Sequence, residues 1–232
     1  MKTARVRRDP YPTTSSIKPI AGTGDFGVAV SMDEWIVDSP EDGAVVEPMS
    51  WYDSPGPFEV EIGCGKGGFL VSRAKADPTV RLLGIEWANK YFRYCADRLA
   101  RWQLHNVRVM RTDAKLFVIR HLPPSCVSVF HIYHPDPWPK KRHHKRRLIQ
   151  PDFIDAAARV VEMDGRLLIQ SDHEEYFEQI VGLLSAHPAF QDVAWTEACC
   201  PLVESWGGTN FEIKYVREGR TIFRAAYRRT SG

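Results

Sequence analysis

After residue 57, short apolar runs alternate with longer helix-like segments, and this alternation limits the possible fold more than any other feature of the chain. We predict five strands in this part, at 58–62, 80–86, 107–111, 126–133 and 166–171. Helices are predicted between and after them, at 67–76, 88–102, 114–120, 151–163 and 173–186. Such alternation is typical of an α/β fold with a mostly parallel sheet and helices on both faces.

The two ends of the chain follow different patterns. Three further apolar runs, at 189–196, 211–217 and 221–228, are predicted to be strands, and the last two should form an antiparallel hairpin. Residues 1–57 carry seven prolines and few periodic apolar segments. We therefore predict an irregular Pro-rich N-terminal arm at 1–57 and a single α/β domain at 58–232.

Composition limits the partners and the compartment. Hydrophobic residues make up 44% and charged residues 26% of the chain, as in an ordinary globular protein. The net charge is only +2, so a polyanionic partner has to be argued from where the charges cluster. Five cysteines without a Cys-x-x-Cys pair predict neither a disulfide framework nor a zinc site. We find no membrane-length apolar run and no secretory signal, so we expect a cytoplasmic protein with no membrane partner.

A segment with one acid, several prolines and many cations follows the predicted strand 126–133. Asp136 lies between Pro135 and Pro137, which should make the loop stiff. Because open α/β sheets bind ligands at the carboxyl ends of their strands, we interpret the segment as a site for a polyanion rather than as a solvated charge run. Trp138 either stacks on a base or packs in the core, and we favour the core. The basic residues and histidines are Lys140, Lys141, Arg142, His143, His144, Lys145, Arg146 and Arg147.

A glycine-rich loop follows the first predicted strand of the domain. Gly63, Gly65 and Gly68 satisfy the G-x-G-x-x-G pattern, and Glu86 ends the next predicted strand about 20 residues later, where an acid would accept hydrogen bonds from ribose hydroxyls. This pattern alone fits both NAD and S-adenosylmethionine enzymes.

Two further acids separate these alternatives. Glu61 would repel a pyrophosphate but suits a cationic sulfonium ligand that also carries an ammonium group, and Asp113 offers an acid near the expected adenine position. Three acids without an obvious phosphate-binding cation favour S-adenosylmethionine. The alternative interpretation of Glu61 is a surface acid at the end of a strand. The alternative for Asp113 is the N-cap of the following helix, and Asp113 could have both roles.

These residues resemble the bacterial tRNA (guanine-N7)-methyltransferase family. The resemblance covers roughly residues 58–228 and rests on Glu-Ile-Gly-Cys-Gly-Lys-Gly, Gly84-Ile-Glu86, Pro-Asp-Pro-Trp-Pro-Lys with the cations after it, Gln170-Ser-Asp172 and Thr209-Asn-Phe-Glu212. It implies a Rossmann-like class I S-adenosylmethionine-dependent fold and transfer of a methyl group to N7 of a guanine in the variable loop of tRNA. The implied S-adenosylmethionine contacts are Glu61, Gly63, Gly65, Glu86, Asp113 and Asp136. The implied tRNA contacts are Lys140, Arg142, His143, His144, Lys145, Arg146, Arg147, Asp172, Thr209, Asn210, Phe211 and Glu212.

Two residues depart from the family pattern. His134 stands where the family commonly has phenylalanine, and Asn210 stands where it commonly has lysine. The first departure can change the lining of the pocket or its response to pH, and the second removes a charge that would contact RNA.

The chemistry of guanine N7 suggests what the acids do. N7 has an in-plane lone pair and needs no deprotonation, so alignment should carry much of the catalysis, and a carboxylate should stabilise the charge that the ring gains. We assign this catalytic role to Asp136. Asp172 is the second candidate, with an N-cap of the helix near His173 as the equal alternative. We expect no metal, and a monomer or a homodimer.

Three other functions compete with this interpretation. A methyltransferase acting on another RNA or on a cap guanine would use the same fold. A non-catalytic RNA-binding protein would not require all four acids. An NAD oxidoreductase is disfavoured by Glu61.

Overall fold

A computed structural model describes residues 31–195, 218 and 220–231 of the chain. The strands in these ranges are β1 Ile36–Val37, β2 Phe58–Ile62, β3 Arg81–Ile85, β4 Val107–Met110, β5 Val127–Tyr133, β6 Val161–Ser171, β7 Phe190–Val193 and β8 Phe223–Arg229. The α-helices are α1 Gly68–Ala76, α2 Asn89–Arg101, α3 Ala114–Arg120, α4 Pro151–Val160 and α5 Glu174–Ser185. Short 3-10 helices lie at Asp33–Trp35, Pro48–Trp51 and Lys141–Arg146.

The eight described strands form one sheet in the order β1-β4-β3-β2-β5-β6-β8-β7. Strands β1 to β6 pair in parallel, whereas β8 runs antiparallel to both β6 and β7. From β2 the chain moves outward through β3 and β4, and then continues from β5 on the other side of β2. The order therefore reverses between β2 and β5, and a crevice for a ligand is expected at their carboxyl ends.

The core lies on both faces of this sheet. One hydrophobic cluster joins the strands to α3, α4 and α5 through buried residues such as Phe117, Phe153 and Tyr176. The other face is covered by α1 and α2, whose Leu70 and Phe92 are buried in a second cluster. Helices on both faces and a mostly parallel sheet confirm the predicted fold class.

Helix α4 is shorter than predicted, and β6 is longer. The predicted helix 151–163 ends at Val160, and β6 begins at Val161, which pairs with Val127. The apolar Met163 suggested one more helical turn, but it is exposed in the structure. Asp164, inside β6, has a φ of 63°, and a Cβ on Gly165 would lie 2.9 Å from the Ser128 carbonyl oxygen. The strand is irregular here, because its pairing with β5 shifts register between Val127 and Val129.

The second half of the predicted arm packs onto the domain. Trp35 and Tyr52 are buried, and each donates a side-chain hydrogen bond to a backbone carbonyl: Trp35 to Leu104 at 2.9 Å and Tyr52 to Leu82 at 2.7 Å. The two-residue strand β1, which the sequence did not reveal, extends the sheet beyond β4. The boundary at residue 57 stays a prediction.

The C-terminal end is antiparallel, as expected. Strand β8 lies between β6 and β7 and pairs with both, for example Leu168 with Ala226 and Val193 with Ala226. The predicted strand 211–217 lies outside the described residues. In the described part of the chain, no helix is long and apolar enough to cross a membrane.

Candidate active site

The glycine loop turns directly above the end of β3. The backbone N–H groups of Gly63 and Cys64 both donate to the Ile85 carbonyl, at 2.8 and 3.1 Å. Gly63, Gly65 and Gly67 all have positive φ, between 54° and 78°, a region that favours glycine. A Cβ on Gly63 would meet nothing within 4 Å, so the backbone here faces open space that a ligand can fill.

Gly67, which is not one of the glycines of the G-x-G-x-x-G pattern, has a different role. A Cβ at this position would lie 2.5 Å from the Cys95 sulfur of α2. Glycine is therefore needed for the close packing of the loop against α2, as well as for its φ of 69° at the start of α1.

Glu86 holds the loop in place. One carboxylate oxygen accepts from the Gly65 N–H at 2.9 Å, and the other accepts from the Ala88 N–H at 2.8 Å. Each oxygen has a second lone pair, so these bonds are compatible with the predicted acceptance of ribose hydroxyls.

Glu61 is buried at the end of β2, so the surface-acid alternative is wrong. Its Oε2 atom has no hydrogen-bond partner among the described residues. Burial, followed by the nearby Glu86 charge, raises the pKa of Glu61 to about 8. A buried carboxyl with an unused oxygen beside an open glycine loop fits a ligand that brings a positive charge, as S-adenosylmethionine does.

Asp113 lies at the start of α3, after β4. Its Oδ1 atom accepts from the Leu116 N–H at 3.1 Å, which confirms the expected N-cap. The side chain is exposed at the same edge of the sheet as Glu86, so the predicted ligand contact remains open to it.

Asp136 is exposed in a tight loop after β5. Its Oδ1 atom accepts from the Trp138 N–H at 3.0 Å. His134 and Trp138, on either side, have φ values of 53° and 43°, a strained conformation for residues other than glycine. Such strain is concentrated at functional sites, where a fixed geometry is useful.

Trp138 does not join the core, contrary to expectation. It is half-buried, and no hydrophobic cluster of the described residues includes it. Its ring meets the His143 ring edge-on at 5.8 Å between centroids, and the Arg146 guanidinium lies 5.0 Å from the ring centre. Trp138 therefore packs against His143 and Arg146 of the basic segment.

The basic segment folds into the 3-10 helix Lys141–Arg146 beside the Asp136 loop. Its lysines and arginines, together with Lys140, are exposed, whereas His143 and His144 are half-buried. The exposed cations are Lys140, Lys141, Arg142, Lys145 and Arg146. They provide a compact positive surface next to an exposed carboxylate.

Arg147 requires a correction, because it does not face outward. Its side chain is 0% exposed, and its Nη2 atom lies 2.6 Å from the Glu175 carboxylate of α5. It also donates to the Pro137 carbonyl at 2.9 Å and to Gln179, and it lies over the Tyr176 ring. Arg147 thus anchors the Asp136 loop to α5 and is not part of the exposed cationic surface.

Asp172 is held by an ion pair. Arg220 Nη1 lies 2.8 Å from its Oδ2 atom, and His134 Nδ1 lies 3.6 Å from its Oδ1 atom. The N-cap of α5 is His173, whose Nδ1 atom accepts from the Tyr176 N–H, so the N-cap alternative for Asp172 is wrong. The remaining predicted substrate residues lie outside the described residues: Thr209, Asn210, Phe211 and Glu212.

A buried network near the site was missed from the sequence. Glu59 on β2 accepts from Arg73 of α1 at 2.9 Å and lies 3.0 Å from His131 Nε2 on β5. His131 Nδ1 lies 2.8 Å from the Tyr133 hydroxyl. Burial raises the pKa of Glu59, but the bonds with His131 and Arg73 outweigh this and lower it to about 2. The only feature of the sequence that pointed to this network is the presence of polar residues at alternate positions of otherwise apolar strands.

A doubly wound sheet with a glycine loop and acids at its switch point defines a Rossmann-like nucleotide-binding class. Solved structures of methyltransferases share this fold. A SAM-dependent methyltransferase from Aquifex aeolicus aligns with a TM-score of 0.52 and 13% identity, over 76% of this chain and 84% of that one. The aminoglycoside resistance methyltransferase NpmB1 gives 0.51 and 14%, over 77% and 88%. At such identities the likeness concerns the fold alone.

Sequence relatives identify the family. A family described as "Putative methyltransferase" matches residues 55–225. A tRNA (guanine-N(7)-)-methyltransferase of Halorhodospira halophila is 35% identical over 192 residues, covering 83% of each chain. One of Azorhizobium caulinodans is 34% identical over 198 residues, again covering 83% of each. The chain belongs to this methyltransferase family, which confirms the resemblance.

Proposed function

We propose that this protein is an enzyme that transfers a methyl group from S-adenosylmethionine to N7 of a guanine in tRNA. The observation that carries the proposal is the position of Asp136, exposed beside five exposed cations at the switch point of the sheet. The glycine loop and Glu61 lie at the adjacent strand end. The names of the relatives support tRNA as the substrate.

The residues at the end of β2 and β3 would hold S-adenosylmethionine. Glu61 suits its ammonium group, Glu86 its ribose hydroxyls, and the open backbone at Gly63 and Gly65 leaves room for it. Asp113 would lie near the adenine. When bound, S-adenosylmethionine supplies a methyl group on a positively charged sulfur.

The protein's own groups then have to align the base and stabilise charge. N7 attacks without losing a proton, so no general base and no metal ion is needed, and we propose that none is used. The ring gains positive charge during transfer, and the Asp136 carboxylate would stabilise it while accepting a hydrogen bond from the guanine amino group. Asp172 is less suited because Arg220 already neutralises it.

The exposed cations would bind tRNA through its phosphates, and recognition by shape suits such a surface. We propose a guanine in the variable loop as the target, as the family resemblance implies, made accessible by local opening. We place the reaction in the cytoplasm, with the catalytic domain at 58–232 acting as a monomer or a homodimer.

The test is transfer of radiolabelled methyl from S-adenosylmethionine to unmodified tRNA, followed by nucleoside analysis. We expect 7-methylguanosine from the wild-type protein and strongly reduced product from Asp136→Asn, which keeps the side-chain shape. A different methylated nucleoside would contradict the proposal. Product formed only with another RNA would contradict the choice of substrate.

A further inference from the structure

The sheet face beneath α1 is unusually polar near its carboxyl edge. Glu59 and Glu61 on β2, His131 and Tyr133 on β5, and Gln170 on β6 are all buried. The strand register places them on one face, because Glu61 pairs with His131 and Tyr133 pairs with Gln170. Phe69 of α1 packs over His131 on this face, with ring centroids 4.5 Å apart.

Three of these five side chains satisfy one another, and two do not. Glu59, His131 and Tyr133 form the network described above. Glu61 Oε2 and both amide atoms of Gln170 have no hydrogen-bond partner within the described part of the chain. Leaving a buried amide unpaired is costly, and such groups in native proteins call for an explanation.

Glu61 and Gln170 lie on opposite sides of β5. Neighbouring strands are about 4.8 Å apart, so β2 and β6 are separated by about 10 Å, with Tyr133 between them. Gln170 is on the side of the Asp136 loop, because its carbonyl oxygen accepts from the His134 N–H at 2.8 Å. If Glu61 contacts the methyl donor, Gln170 is placed to contact the acceptor.

We propose that Gln170 is a further base-contacting residue, whose amide pairs with the guanine edge that carries O6 and N1–H. An amide matches this edge, since its carbonyl accepts from N1–H while its NH₂ donates to O6. Positive charge on the ring makes N1–H a stronger donor, so the first bond strengthens as the methyl group is transferred. The inference rests on the proposed function.

The amide is covered in the free protein, since Gln170 is only 1% exposed. The base therefore has to displace a neighbouring side chain to reach it, and a base extruded from its stack is expected at such an enzyme. The contact would offset the cost of the unpaired amide in the bound state.

The test compares Gln170→Met with Ser128→Ala. Methionine keeps the length of the side chain without its hydrogen bonds. Ser128 is also buried and donates to the Phe58 carbonyl at 2.9 Å, but it lies at the opposite end of β5. We expect Gln170→Met to lower kcat/KM for tRNA about ten- to hundredfold. The S-adenosylhomocysteine affinity should be unchanged, and the melting temperature should stay the same or rise, because the variant no longer buries an unpaired amide. Ser128→Ala should lower the melting temperature and leave kcat/KM unchanged.

Substrates with altered target bases provide a second test, because a purely structural role of Gln170 would affect all of them equally. Inosine keeps O6 and N1–H. The ratio of the wild-type kcat/KM to the Gln170→Met kcat/KM should therefore be the same for inosine as for guanine. 2-Aminopurine lacks both groups but keeps N7, so the ratio should fall to about one. A ratio that is equal for all three bases would overturn the assignment.

The outcomes separate the two proposals. If the wild-type protein forms 7-methylguanosine in tRNA and Gln170→Met does so equally well, the role of Gln170 is wrong and the function stands. If the variant loses activity together with its melting temperature, Gln170 is structural. If the wild-type protein methylates no tRNA, both proposals are wrong.

Discussion

Replacing Glu61 with Gln should change how the stability of the fold depends on pH. The pKa of Glu61 is about 8 in the folded protein, against an ordinary value of 4.5. Between these values the folded chain keeps a proton that the unfolded chain has released, so the free energy of unfolding falls as pH rises from 4.5 to about 8. With about 1.4 kcal/mol for each pKa unit, the total is at most about 5 kcal/mol.

Glutamine stays neutral in both states, so this loss should disappear in Glu61→Gln. Urea unfolding of the two proteins at pH 5, 6, 7 and 8 measures the effect, and the difference between them cancels titrations that they share. We expect the variant to gain stability over the wild-type protein steadily toward pH 8. Parallel curves across this range would refute the assignment of a buried, protonated Glu61.

Other changes test other parts of the account. Exchanging Lys145 and Arg146 for Ala should reduce the slope of log affinity for tRNA against log salt by about 1.5, and an unchanged slope would remove these cations from the RNA interface. Arg147→Met should leave that slope unchanged but lower the free energy of unfolding by about 2–4 kcal/mol, because its bonds to Glu175 and Pro137 are lost. Gly67→Ala should destabilise the fold by about 1–3 kcal/mol through its contact with the Cys95 sulfur, measured by urea unfolding. Gly63→Ala meets no atom but has to adopt a φ of 78°, so it should destabilise the fold by about 1–2 kcal/mol and also weaken S-adenosylhomocysteine binding in calorimetry; normal binding by the folded variant would show that the ligand lies elsewhere.

The parallel part of the sheet was predictable because its strands are short apolar runs, of which β2 is followed by Gly63 and β3 by Glu86. Strand β2 has the predicted bounds, and β3 and β4 differ from theirs by a residue or so. Strand β1 was missed because two residues carry no periodic signal. The end of α4 was misjudged because Met163 fits a helical period, whereas the chain leaves the helix before it.

The parts of the candidate site that could be predicted are those in which the neighbouring sequence alone determines the role of a residue. Asp113 before an apolar segment implies a cap, and the structure has that cap. Arg147 was indistinguishable from the cations before it, since its burial depends on Glu175, a residue of α5 remote in sequence. The pairing of Glu59 with His131 likewise depends on which strands become neighbours, and the order of the sheet decides that.

The central claim is tested most directly with two tRNA transcripts that differ only at the variable-loop guanine. One carries guanine there and the other adenine, and both are incubated with labelled S-adenosylmethionine and either wild-type protein or Asp136→Asn. The account predicts 7-methylguanosine only in the guanine transcript, with strongly reduced product from Asp136→Asn. Equal labelling of both transcripts, or full turnover by Asp136→Asn, would contradict it.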